Sequence, residues 1–228
     1  MQRQIILTAD GSHTVSIPET NVTYHSVHGA IQESMHVFID AGLRFMTKKQ
    51  LSTASLNILE IGLGTGLNVL LTLQETEKNK QAIHYTALEL YPLDQHQYSV
   101  LNYCNELKRP DLQETFLSIH NCEWEKSIYI SPHFLVHKTN QSLTGYSTDS
   151  KFHLIYFDAF APAAQPELWT VEVFKKLHDL LLANGVLVTY CSKGDVRRAM
   201  QAAGFTVEKI PGPPGKREML RAIRPKFN

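Results

Sequence analysis

Residues 56–68 read LNILEIGLGTGLN, an apolar run of strand length that stops at three alternate glycines and opens into LNVLLTLQETEKNK, a stretch of helical length. Strand, tight turn and helix in immediate succession restrict a chain to few architectures. The alternation then recurs. IHYTALEL predicts a strand, followed by a helix that begins near Pro92 and reaches about Asn105. HFLVHK and FHLIYFDAF predict two further strands, and TVEVFKKLHDLLL a helix closed by Asn184 and Gly185. VLVTYCS is the next strand and DVRRAMQAAG a helix with a glycine C-cap, after which FTVEKI and EMLRAIR flank the turn-forming PGPPGK. Strands alternating with helices predict βαβ units and an α/β, Rossmann-like, doubly wound and mainly parallel sheet. The last two strands predict an antiparallel hairpin at one edge.

The residues before this pattern form an N-terminal extension over 1–54, leaving 55–228 as the main domain. IILTADGSHTVSIP predicts two short strands about a turn at Asp10 and Gly11, and IQESMHVFIDAGL an amphipathic helix. The 228 residues are 43% hydrophobic and 19% charged, as a packed globular domain requires, and Lys+Arg 22 balances Asp+Glu 22. That balance excludes a globally cationic nucleic-acid coat and a disordered acidic tail. Cys104, Cys122 and Cys191 show no CxxC spacing, which argues against a disulfide framework or a cysteine zinc site. The opening residues lack the apolar core of a secretory signal, and no stretch has membrane-spanning length. The expectation is a cytoplasmic protein without a membrane partner.

In a doubly wound sheet, ligands bind outside the carboxyl ends of the strands, where Gly62, Gly64, Thr65 and Gly66 lie. A dinucleotide fingerprint requires G-x-G-x-x-G, whereas here one residue separates Gly64 from Gly66. Glu60 would repel a pyrophosphate but not the sulfonium and ammonium of S-adenosylmethionine. Glu89 ends the second main strand, where an acid accepts both hydroxyl hydrogens of an adenosine ribose. Asp158, at the end of FHLIYF, points into the same crevice. It would orient or deprotonate an attacking amine or pair with the sulfonium side of the donor, the alternative being a helix cap or strand-end turn. Phe160, Pro162 and Trp169 stiffen the loop that follows, where an aromatic ring either stacks on a splayed base or closes the pocket.

From Lys193 onward the chain carries nine Lys/Arg and three Asp/Glu, with Arg197, Arg198, Lys216, Arg217, Arg221, Arg224 and Lys226 among them. Such an end either meets RNA phosphates or is solvated charge. The eleven histidines include no HExxH, His25 and His28 being the nearest pair, so no metal site is expected.

Taken together, these residues resemble the MnmC-like tRNA methyltransferases. YHSVHGAIQESMHVFIDAGL is similar to a family segment with a G-x-x-E-[ST] core, here Gly29, Glu33 and Ser34. ILEIGLGTGLNVL is similar to the donor-binding motif, with its asparagine at Asn68, and FDAFAPAAQPELWT to a long Asp-to-Trp signature. SKGDVRRAMQAAGF followed by GKREML is similar to the family's C-terminal pair. The resemblance implies a class I S-adenosylmethionine-dependent N-methyltransferase that converts 5-aminomethyl-2-thiouridine to 5-methylaminomethyl-2-thiouridine at the tRNA wobble position and grips the anticodon arm. Asp158 would be catalytic, and Glu33, Phe160, Pro162, Trp169, Arg197, Arg198, Lys216 and Arg217 would face substrate. The bifunctional relatives carry a further FAD-dependent oxidoreductase domain for which these 228 residues leave no room, so neither FAD nor a metal is expected and another enzyme would supply the aminomethyl precursor. The family's G-D pair after the third strand is replaced by LVHKTNQSL, where Asn140 or Thr139 would meet the adenine. The rival readings are a methyltransferase on the same fold acting on a small amine or another RNA, a nicotinamide oxidoreductase, and a non-enzymatic tRNA-binding module.

Overall fold

The computed structural model describes residues 2–49 and 54–226. Its main sheet has eight strands: β4 (Ser55–Ile61), β5 (Ala82–Leu88), β6 (Ser127–Ser131), β7 (Phe134–Thr139), β8 (Phe152–Phe157), β9 (Leu181–Thr189), β10 (Thr206–Pro211) and β11 (Glu218–Ile223). Their spatial order is β10-β11-β9-β8-β4-β5-β7-β6, so the chain runs outward from β4 on one side and then returns to β4's other edge. The five central strands are parallel, and β4 pairs with both β5 and β8. β10 and β11 form the expected antiparallel hairpin, with β11 also antiparallel to β9. This is the doubly wound, mainly parallel sheet expected from the sequence.

Both faces of the sheet are covered, which is why its central strands are apolar almost throughout. Alternate side chains separate cleanly: Ile58, Leu154 and Tyr156 face one core, and Leu59, Ile155 and Phe157 the other. The first core is closed by helix α1, which spans 30–49 with a π-helical middle at Met35–Arg44, and by α2 (Leu67–Asn79). Two short helices, α3 (Gln95–Tyr98) and α4 (Tyr103–Glu106), and α5 (Gln113–Asn121) complete that layer. The second core is closed by α6 (Val171–Leu180) and α7 (Gly194–Ala202). Arg44 ties α1 to α2 through a two-bond pair with Glu75, both contacts at 2.8 Å.

Ahead of the sheet, β1 (Gln4–Leu7), β2 (His13–Ile17) and β3 (Val22–Thr23) make a small antiparallel sheet, with the expected turn at Asp10 and Gly11. The helix expected from Pro92 to Asn105 is broken into α3 and α4. Asp94 starts α3 with a capping box, while the Asn102 side chain bonds Gly11 O at 2.8 Å and His13 N at 2.8 Å. Asn102 therefore serves the N-terminal hairpin. Nor do Asn184 and Gly185 close α6, because β9 begins directly after Leu180. Asn184, at φ 63°, lies in an irregularity of β9 where its N–H and the Gly185 carbonyl bond Arg224. The helix α5 and the edge strand β6 have no counterpart in the sequence analysis, since β6 is short and largely solvent-facing.

Candidate active site

The carboxyl ends of β4, β5 and β8 open into a cavity of about 1080 Å³. Its floor is Ile61–Thr65, one side is Leu88–Tyr91, and another is Asp158–Ala161. The wall opposite comes from the N-terminal sheet and its exit, including Arg3, Val22, Tyr24 and His25. Tyr24 meets Phe160 edge-on at 5.1 Å, so the extension and the loop after β8 touch across the opening.

Two glycines show why the first turn takes this form. Gly62 sits at φ +91°, and a Cβ there would lie 2.9 Å from the Asp158 carbonyl oxygen, so the turn can press against the end of β8 only without a side chain. Gly66 caps α2 at φ 73°, and a Cβ would lie 2.7 Å from His120 Nε2. Glu89 accepts the Gly64 N–H at 2.9 Å and the Tyr91 N–H at 2.8 Å, which holds its carboxylate at the cavity wall. Thr65 is turned inward. Its hydroxyl meets His25 Nε2 at 2.7 Å and its carbonyl meets His120 Nε2 at 3.1 Å. Burial holds both imidazoles at a pKa of about 4, hence neutral.

Glu60 lies beneath this floor. It is 0% exposed and absent from the cavity lining, and its Oε1 accepts the Asn68 amide at 2.9 Å. Its Oε2 and the Tyr85 hydroxyl are buried without closing a hydrogen bond, although each bears on the other's ionisation. Burial, and then the nearby Asp158 and Glu89, push the Glu60 carboxyl well above the carboxylate range against the opposing pull of Asn68. Burial thus keeps Glu60 out of contact with a ligand in the cavity, and the acid that faces the cavity beside the glycine turn is Glu89. Asn68 also donates to Asp158 Oδ2 at 2.9 Å, so a single amide spans two carboxyl groups.

Asp158 is pushed up to about 8, by burial first and by Glu33 second, against the lowering effects of Asn68 and Lys216. Glu33 reaches this corner from α1: its Oε2 accepts the Ser26 N–H at 2.8 Å and its Oε1 pairs with Lys216 Nζ at 2.7 Å. Lys216 Nζ lies 4.1 Å from the Tyr190 ring centroid, and the Tyr190 hydroxyl donates to Ala159 O at 2.8 Å. The structure thus joins Glu33, Asp158 and Lys216 and adds Tyr190. No motif carried Tyr190, although its place just after β9 is another strand end.

Several expected residues sit differently. Trp169 does not present its ring to a substrate: it is 6% exposed, donates to Phe160 O at 2.9 Å and packs on Phe157 and Phe174. It is a strut for the loop on which Phe160 lines the cavity. Pro162 is half-buried outside the lining, which is made instead by Ala161, Ala163 and Ala164. Asn140 turns its amide to the Glu89 and Leu90 carbonyls at 2.8 and 3.3 Å, while Gln141 and Ser142 line the cavity. Thr139 is buried against Glu125.

The basic end divides in two. Arg221 pairs with Glu208 and lies over Phe45, Arg224 donates to the carbonyls of His178, Asp179 and Leu181, and Lys209 pairs with Glu218. These serve the fold. Arg217 is exposed in the β10–β11 loop, Arg198 is exposed on α7, and half-buried Arg197 leaves its Nε without a partner. Because β11 starts beside the end of β9, these three arginines, Lys193 and Lys216 share the sheet edge that bears the cavity. Among the described residues no group of three or more His, Cys, Asp or Glu could hold a metal ion, and no helix is long and apolar enough to cross a membrane.

With this geometry in view, a model of S-adenosyl-L-methionine-dependent methyltransferases matches residues 117–225. The tRNA 5-methylaminomethyl-2-thiouridine biosynthesis bifunctional protein MnmC of Pseudomonas savastanoi is 30% identical over 209 residues, 87% of this chain and 31% of that protein. The MnmC of Magnetococcus marinus is 31% identical over 219 residues, 89% of this chain and 31% of that protein. The chain thus spans about a third of the length of the relatives it matches. In structure, MnmC2 from Aquifex aeolicus superposes with a TM-score of 0.79 at 23% identity, covering 100% of this chain and 73% of the other. A spermidine synthase from Thermotoga maritima superposes at 0.54 and 13% identity, covering 97% and 68%, which supports the fold alone.

Proposed function

Since this chain is an MnmC-like, S-adenosyl-L-methionine-dependent methyltransferase domain, we propose that it methylates the aminomethyl nitrogen of 5-aminomethyl-2-thiouridine at the wobble position of tRNA. The observation that carries this reading is Asp158, a half-buried acid lining the cavity where the glycine cradle meets the group made by Glu33, Lys216 and Tyr190.

The residues fit the donor. Gly62 and Gly64 leave room that side chains would fill, the floor is backbone, and the Glu89 carboxylate is fixed toward the space a ribose needs. Gln141 and Ser142 are placed for the adenine side, and the N-terminal wall covers the opening. Bound there, S-adenosylmethionine supplies a methyl group already activated by its sulfonium. The chain's own contribution is placement and proton handling. There the substrate nitrogen would attack as a neutral amine, forming the N–CH3 bond as the methyl's bond to sulfur breaks and S-adenosylhomocysteine leaves, and the now cationic nitrogen would pass a proton to the Asp158 carboxylate. Asn68 holds that carboxylate through Oδ2, and Asp158 lines the cavity.

Arg198, Arg217, Arg197 and Lys193 lie beyond the carboxyl end of β9, at the same end of the sheet as the cavity, and suit the phosphates of an anticodon arm, whose bases are already unstacked. A cytoplasmic setting and a separate enzyme that prepares the aminomethyl group belong to this reading. A small amine or another RNA remains the second reading, favoured by the fact that Lys209, Arg221 and Arg224 are used inside the fold. The test is transfer of labelled methyl from S-adenosylmethionine to bulk tRNA from cells that lack this methyltransferase, with nucleoside mass analysis. Label in 5-methylaminomethyl-2-thiouridine is expected. Donor binding without label in tRNA moves the substrate to another molecule.

A further inference from the structure

We infer that the Tyr190 ring face, the Glu33 carboxylate and the open oxygen of Asp158 form a cradle for the substrate's ammonium group, and that Lys216 acts as its built-in stand-in and specificity gate. The inference rests on the proposed amine substrate and adds the subsite that recognises it.

An ammonium already occupies this place. Lys216 Nζ lies 2.7 Å from Glu33 Oε1 and 4.1 Å from the Tyr190 centroid, the two contacts by which proteins hold alkylammonium ions. The parts are fixed while the cation is not. Glu33 is 6% exposed and tied by the Ser26 N–H, and Tyr190 is anchored through its hydroxyl to Ala159 O. Lys216, by contrast, arrives on a flexible stem from the β10–β11 loop with its side chain 33% exposed. The loop itself is braced, since Gly215 lies against the His28 ring and His36 Nε2 lies 2.8 Å from Pro211 O. Only the side chain need move. Asp158 connects the cradle to the cavity: Lys216 and Glu33 both act on its carboxyl, and its Oδ1 makes no hydrogen bond among the described residues.

An arriving alkylammonium would replace Lys216 on the ring and on Glu33, and the released lysine would turn to the rim where RNA phosphates pass. The Glu33 carboxylate stays in the cradle, so an amine that also bears a carboxylate is disfavoured by like-charge repulsion. This gives the site a basis for choosing a simple aminomethyl group over a carboxylated one.

The test uses butylammonium chloride as the probe and 4-aminobutyrate as its carboxylated control, with binding to the full chain in the presence of S-adenosylhomocysteine followed by ligand-observed NMR at constant ionic strength. Removing the stand-in with Lys216→Met is expected to tighten butylammonium at least fivefold and to leave 4-aminobutyrate unchanged. Adding Tyr190→Leu or Glu33→Gln to that variant is expected to abolish the gain. Thermal melts identify variants that fail to fold, and Tyr190→Phe, which keeps the ring, is expected to retain the gain. Equal butylammonium affinity in wild type and Lys216→Met overturns the cradle, as does an equal gain for both probes. A tenfold loss of S-adenosylhomocysteine affinity in Lys216→Met also overturns it, since the lysine then belongs to the donor. None of these readouts depends on tRNA methylation, so failure here leaves the proposed reaction to its own test.

Discussion

The donor half and the acceptor half of the crevice are built in opposite ways. The donor half is local: β4, the glycine turn, the start of α2 and the end of β5 lie within residues 55–89 and are joined by backbone contacts such as Gly64 N–H to Glu89. The acceptor half is assembled from the extremes of the chain, as the Glu33–Lys216 pair, 183 residues apart, makes plain. A donor common to many enzymes is met by backbone shape, whereas an acceptor particular to one is met by side chains on separate elements.

The sharpest way to break this division is Asp158→Ala. Loss of the proton acceptor is expected to lower single-turnover methyl transfer by about a thousandfold while donor affinity by calorimetry falls by only about tenfold, the share linked to ionising Asp158. A parallel loss of donor affinity would erase the boundary between the halves. Next comes Gly62→Ala, where positive φ and the 2.9 Å approach to the Asp158 carbonyl act together. It is expected to cost about 2 kcal/mol of stability in denaturant unfolding and to weaken donor binding.

Glu89→Gln tests the donor half by charge alone. An amide cannot accept both the Gly64 and Tyr91 N–H bonds without turning its NH2 toward one of them. Donor affinity is expected to fall about tenfold, with the rate at saturating donor nearly unchanged.

Protonation sharpens the comparison further. With a pKa of about 8, Asp158 holds its proton at pH 7, whereas a cationic donor favours the ionised form. Donor binding at pH 7 is therefore expected to release about one proton, and at pH 9 almost none. Calorimetry in buffers of different ionisation enthalpy measures this, and Asp158→Asn is expected to remove it. The smallest effects belong to the rim, where Arg198→Gln and Arg217→Gln are each expected to reduce the logarithmic salt slope of tRNA binding by about one.

The same contrast explains what the sequence disclosed. Short-range spacing carried the donor half, since an apolar run ending at Gly62, Gly64 and Gly66 and an acid at Glu89 are properties of neighbouring residues. It did not disclose that Glu60 is sealed under the floor, because burial depends on Asn68 and Tyr85 folding over it. In the acceptor half, Glu33 is named by family resemblance, Asp158 by its strand end and Lys216 by the basic end, but nothing local indicates that they meet or that Tyr190 completes the group. Trp169 keeps two readings in sequence because an aromatic ring in a Pro-containing loop looks the same whether it faces a ligand or Phe157 and Phe174. The basic end stays open in sequence for a related reason: charge along a chain does not show that Arg221 and Arg224 are bonded inward.

The most direct test of the whole account is methyl transfer to three forms of one anticodon stem-loop RNA, bearing uridine, 5-methyluridine or 5-aminomethyluridine at the wobble position. The account predicts label only in the aminomethyl form, on its exocyclic nitrogen. Equal labelling of all three, or label on ring or ribose atoms, would contradict it.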